Sequence, residues 1–340
     1  MDQSVKALVL FSGGLDSMLA AKVLMGQGIK VTGLCFESNF FSAKKARLAA
    51  KSIGIELKIS DISKEILALV KNPPNGYGKN MNPCIDCHGL MIKEAGKTAR
   101  QDGFDFIATG EVLGQRPYSQ NKSALAQILK ISGVEVLRPL SAKLLRETEV
   151  EKNGFVIRGK LHGISGRTRD KQIYLAEKYN IKQYESPAGG CLLTDPKFSE
   201  RLLKLLDYWP DCSVNDVELL KHGRVFWVIL EEGSKAKRVM IIIGRHQTDN
   251  NQLEFSARAG DYLLELKEIN GPMTLVRNLS KGIDIKNLDL KIPEKLMMSK
   301  LKISKKKTGQ EILQIAAFLT GYYAAKARGK EVSLETRVIN

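Results

Sequence analysis

Lys6-Ala7-Leu8-Val9-Leu10-Phe11 runs directly into Ser12-Gly13-Gly14-Leu15-Asp16-Ser17. The first six residues form a compact apolar run, as expected of a strand buried on both faces. The next six are a glycine turn, and a helical pattern follows from about Ser17 to Met25. Strand, glycine turn and helix in that order build a phosphate cradle. Gly13 and Gly14 permit a tight turn and close backbone approach. Ser12 and Ser17 offer hydroxyls, and the backbone amides and helix N-terminus favour an anion. Asp16 is placed to orient a metal ion or the nucleotide that carries the phosphate. The stretch is not a Walker A loop, because no Gly-Lys-Ser/Thr closes it.

Outward from this stretch the pattern alternates. Lys30–Cys35, Glu56–Ile59 and Phe106–Thr109 read as strands; Ala43–Ser52, Ser63–Val70 and His88–Arg100 read as helices. Alternation of this kind predicts an α/β fold, a doubly wound parallel sheet with helices on both faces. Such sheets bind ligands beyond the carboxyl ends of their strands. Lys71–Met81, with Pro73, Pro74, Gly76 and Gly78, is a loop long enough to carry function. Phe155–Arg158 and Leu161–Ile164 are expected to pair as a hairpin around Gly159-Lys160. Arg169–Tyr179 reads as a helix and Ser186–Thr194 as a second glycine-bearing loop.

After about Asp195 the texture changes. A helix over Phe198–Leu206 precedes strand-like runs at Val225–Leu230, Val239–Ile243, Tyr262–Leu266 and Met273–Arg277, and Gln310–Arg328 is a long apolar helix. The expected organisation is a catalytic domain over 1–195, a helical connection over 196–224 and a smaller α+β domain over 225–340.

Composition narrows the function class. The chain has 340 residues, of which 43% are hydrophobic and 26% charged, which excludes a disordered or fibrous chain. No apolar run approaches the roughly 18 residues of a membrane span. One lysine before a short apolar run, with no small-residue cleavage site, makes a secretory signal unexpected, so the expected location is the cytoplasm. Lys and Arg number 53 against 37 Asp and Glu, a net charge of +16 that favours a polyanionic partner such as nucleic acid.

The five cysteines are too few for a disulfide scaffold. Cys84-Ile85-Asp86-Cys87 has the spacing that turns two sulfurs toward one metal or one reactive site. Cys191 lies in Pro187-Ala188-Gly189-Gly190-Cys191. Three thiols on two loops are an incomplete set for structural zinc, though His88 could complete one; they suit a cluster with an open iron or a thiol relay. Cys35 and Cys212 have no partner at useful spacing and are expected to be buried.

Ser12–Ser17 resembles the signature of the PP-loop ATP pyrophosphatases, which cleave ATP to AMP and pyrophosphate and transfer AMP to an acceptor oxygen. Cys84, Cys87 and Cys191 are similar to the cysteines of the family's tRNA-thiolating branch. The resemblance implies either a [4Fe–4S] cluster held by these three or a persulfide relay through them. Ile107–Gln115, followed by Ser119-Gln120 and Leu137–Leu140, resembles the 4-thiouridine synthetase (ThiI-type) pattern, whereas 2-thiouridylases usually carry Gly-His at Gly110-Glu111. By this resemblance Ser12, Gly13, Gly14, Leu15, Asp16, Ser17, Phe36, Thr109 and Gly110 bind ATP, with Mg²⁺ nearby. Asp16, Cys84, Cys87 and Cys191 are the catalytic residues. The implied reaction forms 4-thiouridine; 2-thiouridine synthesis and amide formation by a PP-loop synthetase are the alternatives. The implied partners are tRNA and a sulfur donor, either free sulfide or a cysteine desulfurase, with homodimerisation left open. Three departures stand out. ThiI-type enzymes usually begin with a ferredoxin-like segment and a THUMP domain, whereas here the catalytic domain is read from the first residue. No rhodanese-like domain is apparent, and Glu147–Arg167 reads as inserted.

Ile243–Leu253 with Asp261-Tyr262, and later Ala316–Arg328, resemble the NFACT-R module, a small RNA-binding domain. Arg245, His246, Lys305, Lys306 and Lys307, with Lys300 and Lys302 beside them, are the expected phosphate contacts. Such contacts give affinity that falls steeply with salt.

Overall fold

The structure, a computed structural model, describes residues 4–184, 190–232, 235–279, 283, 287–295, 301, 303 and 305–340. The chain divides into two compact units, Met1–Ser199 and Glu200–Asn340. Part of the loop expected over 186–194, and both Lys300 and Lys302, lie outside the described residues.

The first unit runs β1 (Lys6–Leu10), α1 (Leu15–Met25), β2 (Lys30–Glu37), α2 (Lys44–Ile53), β3 (Glu56–Asp61), α3 (Ser63–Lys71), α4 (Cys84–Asp102), β4 (Phe106–Thr109), α5 (Lys122–Ser132), α6 (Glu149–Lys152) and α7 (Asp170–Lys178). The sheet order is β3-β2-β1-β4, and every pairing is parallel. Ala7, Leu8 and Val9 of β1 and all four residues of β4 are buried, because helices cover both faces. The order of strands reverses between β1 and β4, and the segments that leave their carboxyl ends diverge there. That switch point is where open α/β sheets hold ligands.

Two expectations need correction. The helix expected from His88 starts at Cys84, so the two spaced thiols occupy its first turn rather than a preceding loop. The hairpin around Gly159-Lys160 does not form. Residues 158–160 make a single 3-10 turn, and His162 and Ile164 donate their N–H groups to Pro139 and Leu140 instead. The cause is Arg158, which carries the first half of the expected hairpin away. Its guanidinium pairs with Glu151 and donates to the Ala142 and Leu145 carbonyls at 3.0 and 3.1 Å. Helix α5, absent from the pattern reading, is capped by Asn121, whose side chain accepts from Ala124 N at 2.8 Å.

The second unit takes in most of α8 (Pro196–Tyr208), then α9 (Val214–Leu219), β5 (Arg224–Glu232), β6 (Lys235–Ile243), α10 (Gln247–Ser256), β7 (Tyr262–Leu266), β8 (Thr274–Arg277), β9 (Asn287–Lys291), β10 (Lys306–Lys307), α11 (Gly309–Tyr323) and β11 (Glu331–Val338). Its mixed sheet has the order β10-β5-β6-β8-β7-β11-β9, antiparallel except for β10 on β5. Ile312, Leu313, Ala316 and Leu319 of α11 are fully buried in one core with Ile241, Leu264 and Val276 of the sheet. The long apolar helix ends at Tyr323, short of Arg328; a 3-10 turn over Ala325–Ala327 follows.

Arg277, 1% exposed, is the keystone of this unit's polar interior. It pairs with Asp261 at 2.6 Å and Asp216 at 2.9 Å and donates to the Ser256 carbonyl. Burial alone would raise the Asp216 pKa. The Ser213 hydroxyl and backbone N–H, together with Arg277 and Arg258, hold it below the usual carboxylate value. A carboxylate held low contributes stability that is present at neutral pH and lost as pH falls through its folded value. Arg277→Met leaves both carboxylates buried and short of a partner, so a loss of about 3–5 kcal/mol is expected in urea unfolding.

Candidate nucleotide and thiol site

The glycine turn is built by close approach. Gly13 has φ +79°, and a Cβ there would lie 2.6 Å from the Lys45 carbonyl carbon, so only glycine fits. Gly14 caps α1 with extended backbone; Ser12 Oγ accepts from Gly14 N at 3.4 Å, and Ser17 Oγ donates to Gly14 O at 2.7 Å. The first amides of an eleven-residue helix therefore open onto the turn. Leu15 and Ser17 are buried, and Phe36 is buried near the carboxyl end of β2.

Gly110 seals the other side of the switch point. A Cβ on it would meet Ser17 N at 2.5 Å and the Asp16 carbonyl carbon at 2.6 Å. Gly110→Ala must therefore push the turn away, at a cost of about 1–3 kcal/mol. A lower unfolding midpoint for the first unit, with the second unit unchanged, is the expected outcome in calorimetry.

Asp16 is the pivotal side chain. Gln115 Nε2 donates to its Oδ2 at 3.0 Å, while its Oδ1 is buried with no hydrogen-bond partner. Burial raises its pKa, against the pull of Gln115, Arg169, Gln172 and Arg116. Gln172 has both amide atoms buried without partners, and Arg169 Nε is in the same condition. An unmade buried hydrogen bond costs about 1–3 kcal/mol. Asp16, Arg169 and Gln172 thus place polar groups with unused hydrogen-bonding capacity next to one another beside the glycine turn.

The thiols converge from two segments. Cys84, Cys87 and His88 share one face of α4 at i, i+3 and i+4. The Cys191 segment is tied in by Leu192 N to Phe40 O at 2.9 Å, Met81 N to Leu193 O at 3.2 Å and Asn80 Nδ2 to Thr194 O at 2.7 Å. Burial pushes all three thiols up. For Cys87 the neighbouring sulfurs of Cys191 and Cys84 push further, and Cys191 reaches about 11 with Cys84 contributing. The three sulfurs thus feel one another. Among the described residues, no group of three or more His, Cys, Asp or Glu side chains is gathered for a single metal ion. Cys35 and Cys212 are buried.

His88 has a different local partner. Its Nδ1 lies 2.8 Å from Glu111 Oε1, and Arg138 Nε donates to Glu111 Oε2 at 2.9 Å. Burial would raise Glu111, but His88 and Arg138 bring it down to about 2. Thr109, buried at the end of β4, donates from Oγ1 to the same carboxylate at 3.2 Å. Glu111 thereby locks α4 to the end of β4, which fixes the thiol face relative to the glycine turn.

The positive charge of Arg116 lowers the pKa of Asp16 and of the Cys84 and Cys191 thiols against the rise caused by burial. Neither Arg116 nor Arg169 and Gln172 belongs to a recognisable motif; the flanking Gln115 was the only legible signal.

Residues 3–146 match the ThiI family, described as thiamine biosynthesis protein. That stretch holds the glycine turn, Cys84, Cys87 and the strap that carries Arg116; Cys191 and the second unit lie beyond it. Among curated relatives, a "Probable tRNA sulfurtransferase" of Finegoldia magna is 29% identical over 144 residues, 41% of this chain and 36% of that protein. A "tRNA-specific 2-thiouridylase MnmA" of Sulfurimonas denitrificans is 33% identical over 120 residues, 32% of this chain and 35% of that protein. The chain spans about a third of the length of these relatives. A solved structure titled as a 4-thiouridine synthetase–RNA complex with bound ATP overlaps 63% of this chain and 52% of its own, at 23% identity and TM-score 0.37.

In the second unit, the expected phosphate contacts have local partners. Arg245 pairs with Asp249 at 2.7 Å and donates to Lys221 O. His246 caps α10, accepting from Asp249 N at 3.3 Å. Lys306 and Lys307 lie in β10, at 3.3 and 3.2 Å from Glu231 and Glu311, and Lys305 is exposed. The first unit holds 29 of the 53 Lys and Arg and 19 of the 37 Asp and Glu, so it is the more basic of the two. No helix among the described residues is long and apolar enough to cross a membrane.

Proposed function

We propose that this chain is an ATP-dependent tRNA sulfurtransferase that adenylates a uridine carbonyl oxygen and exchanges it for sulfur, forming 4-thiouridine. The observation that carries the proposal is one unit that holds both a glycine turn with a buried, partnerless Asp16 Oδ1 and three cysteines on α4 and the segment tied to it. A purely nucleotide-binding site has no use for three clustered cysteines.

ATP rests with its phosphates on the amides of the Ser12–Ser17 turn. The uridine O4 attacks the α-phosphorus, the bond to the bridging oxygen breaks, pyrophosphate leaves, and the N3 proton is released to solvent. The amides of the turn, with Arg116 and Arg169, stabilise the charge that builds on the phosphate oxygens. Hydrosulfide then adds to C4, AMP departs with the former carbonyl oxygen, and the sulfur proton ends on N3. Holding the reactants together supplies much of the rate.

Mg²⁺ fits Asp16, whose buried Oδ1 lacks a partner, since this ion is usually held by one or two carboxylates and substrate phosphates. It would neutralise phosphate charge. Three thiols, Cys84 and Cys87 on α4 and Cys191 on the segment tied to it, are the donor set that would hold a [4Fe–4S] cluster, and such a cluster would supply an open iron for hydrosulfide. Persulfide chemistry would use the same three thiols. Free sulfide serves as donor for the hydrosulfide route, whereas a cysteine desulfurase would load a persulfide whose sulfur is released to the base as a second thiol closes a disulfide; the location is cytoplasmic, and the second unit serves as an NFACT-R-like RNA-binding domain.

Nucleoside mass spectrometry of bulk tRNA, with the gene deleted and then restored, tests this reading. Loss and recovery of 4-thiouridine alone supports it. Loss of a 2-thio nucleoside moves the target, a reading favoured by the 2-thiouridylase relatives. Survival of every thionucleoside overturns it.

A further inference from the structure

We infer that the row Arg224, Tyr323, Tyr322, Arg328 in the second unit is a contact site for unpaired RNA nucleotides, with the guanidinium groups on phosphates and the tyrosine pair against bases. The inference rests on the RNA substrate of the reading above and adds where the second unit grips it.

The row is built by the end of one helix and the start of one strand. Tyr322 and Tyr323 are the last two residues of α11, and Arg224 is the first of β5. The Arg224 guanidinium lies over the Tyr323 ring, 4.4 Å from its centroid. The rings of Tyr323 and Tyr322 meet edge to face at 5.5 Å. Past the helix the chain makes its 3-10 turn, and Arg328 Nε donates to the Tyr322 carbonyl at 3.0 Å. That bond sets the Arg328 guanidinium over the Tyr322 ring at 4.7 Å. Cation, ring, ring and cation thus follow one another in space. Both rings are half-buried and pack against the core of the unit, with Phe226 6.2 Å from Tyr323. Aromatic groups fixed in this way lose little entropy on binding.

The charge on this row is unspent. Arg245, Lys306 and Lys307 each have an acidic partner, whereas among the described residues neither Arg224 nor Arg328 has one within ion-pair distance. Arg224 also makes no side-chain hydrogen bond there. Contact with a ring engages a guanidinium through the π face and leaves its five in-plane N–H donors for an acceptor oxygen. Lys326 and Lys330 are exposed on either side of Arg328 and add positive charge. Open donors call for an anion, and ordered rings beside them call for a flat partner; a nucleotide has both. In a duplex each base is covered by its neighbours, so rings of this kind select unpaired nucleotides.

The test measures binding of the full chain to labelled oligouridine, to an RNA duplex of equal length and to tRNA transcript, by fluorescence anisotropy. Removing a stacking aromatic costs roughly 5- to 150-fold in affinity per base. Tyr322→Leu with Tyr323→Leu is expected to weaken oligouridine binding by at least that factor. Neither hydroxyl has a hydrogen-bond partner among the described residues, so Tyr322→Phe with Tyr323→Phe keeps the wild-type affinity. Arg224→Gln with Arg328→Gln should reduce the slope of log affinity against log salt by roughly 0.7 for each lost phosphate contact. The arginine pair removes no buried side chain, so it decides the matter should the leucine pair fail to fold. If the wild-type protein binds oligouridine and the arginine pair changes neither affinity nor slope, the row is overturned and the RNA reading stands. Duplex bound as tightly as oligouridine, polyglutamate displaced by RNA only at equal strength, or tRNA bound without oligouridine overturns the row in the same way. If the wild-type protein binds no RNA at all, both fall together.

Discussion

Asp16→Asn lowers tRNA-dependent pyrophosphate release by at least about a hundredfold, the scale expected when a preorganised charged group is removed from a reacting centre. The variant keeps the shape of the side chain and its contact with Gln115, so the glycine turn stays in place. It loses the charge that a metal–phosphate group requires. Stability is expected to move the other way. A buried carboxylate with an unpartnered oxygen and a raised pKa favours the protonated native state. Its contribution to stability is present at low pH and lost as pH rises through the folded value. Asn at this position removes that penalty, so thermal stability at neutral pH should equal or exceed that of the wild type. Retention of more than a tenth of the release rate, or clear destabilisation, would contradict the role given to Asp16.

Cys87→Ala separates the two halves of the reaction. Pyrophosphate release should stay within about threefold of wild type, because the thiol lies beyond the adenylation step, while thionucleoside formation should fall below detection, a loss of at least about a thousandfold as expected for an essential reacting group. The variant removes a buried thiol flanked by two others, so a modest loss of stability, on the order of 1 kcal/mol, accompanies it. Full thiolation by Cys87→Ala would remove the cysteines from the mechanism. Loss of pyrophosphate release along with thiolation would mean that the thiol face and the ATP turn cannot be separated.

The parts of this site that read from the sequence are those whose chemistry is local. Ser12–Ser17 is recognisable because turn, hydroxyls and helix start are consecutive, and Cys84 and Cys87 because their spacing is short. The alternation of strands and helices from Lys6 to Thr109 follows from buried apolar runs and carries the parallel sheet with it. Arg116, Arg169 and Gln172 were not legible, since their meaning comes from meeting Asp16 across long sequence separations. The hairpin expectation around Gly159 failed because four-residue apolar runs are ambiguous, and the distant partners of Arg158 decide the local path. Strand β11 was a missed signal of a different kind. Val332 and Leu334 alternate with Glu331, Ser333 and Glu335, a period of two that its burial pattern repeats. Lys306 and Lys307 read as phosphate contacts, yet each has an acidic partner, because a charge count does not show who stands opposite.

The central claim is that the carbonyl oxygen of a tRNA uridine leaves as part of AMP. It is tested most directly with tRNA carrying oxygen-18 at the uridine carbonyls, incubated with the protein, ATP and sulfide, and with the released AMP weighed by mass spectrometry. The account predicts AMP that has gained one oxygen-18, in amounts matching the thiouridine formed. AMP without the label, in the presence of continued pyrophosphate release, would show that water or another acceptor takes the adenylate and would contradict the account.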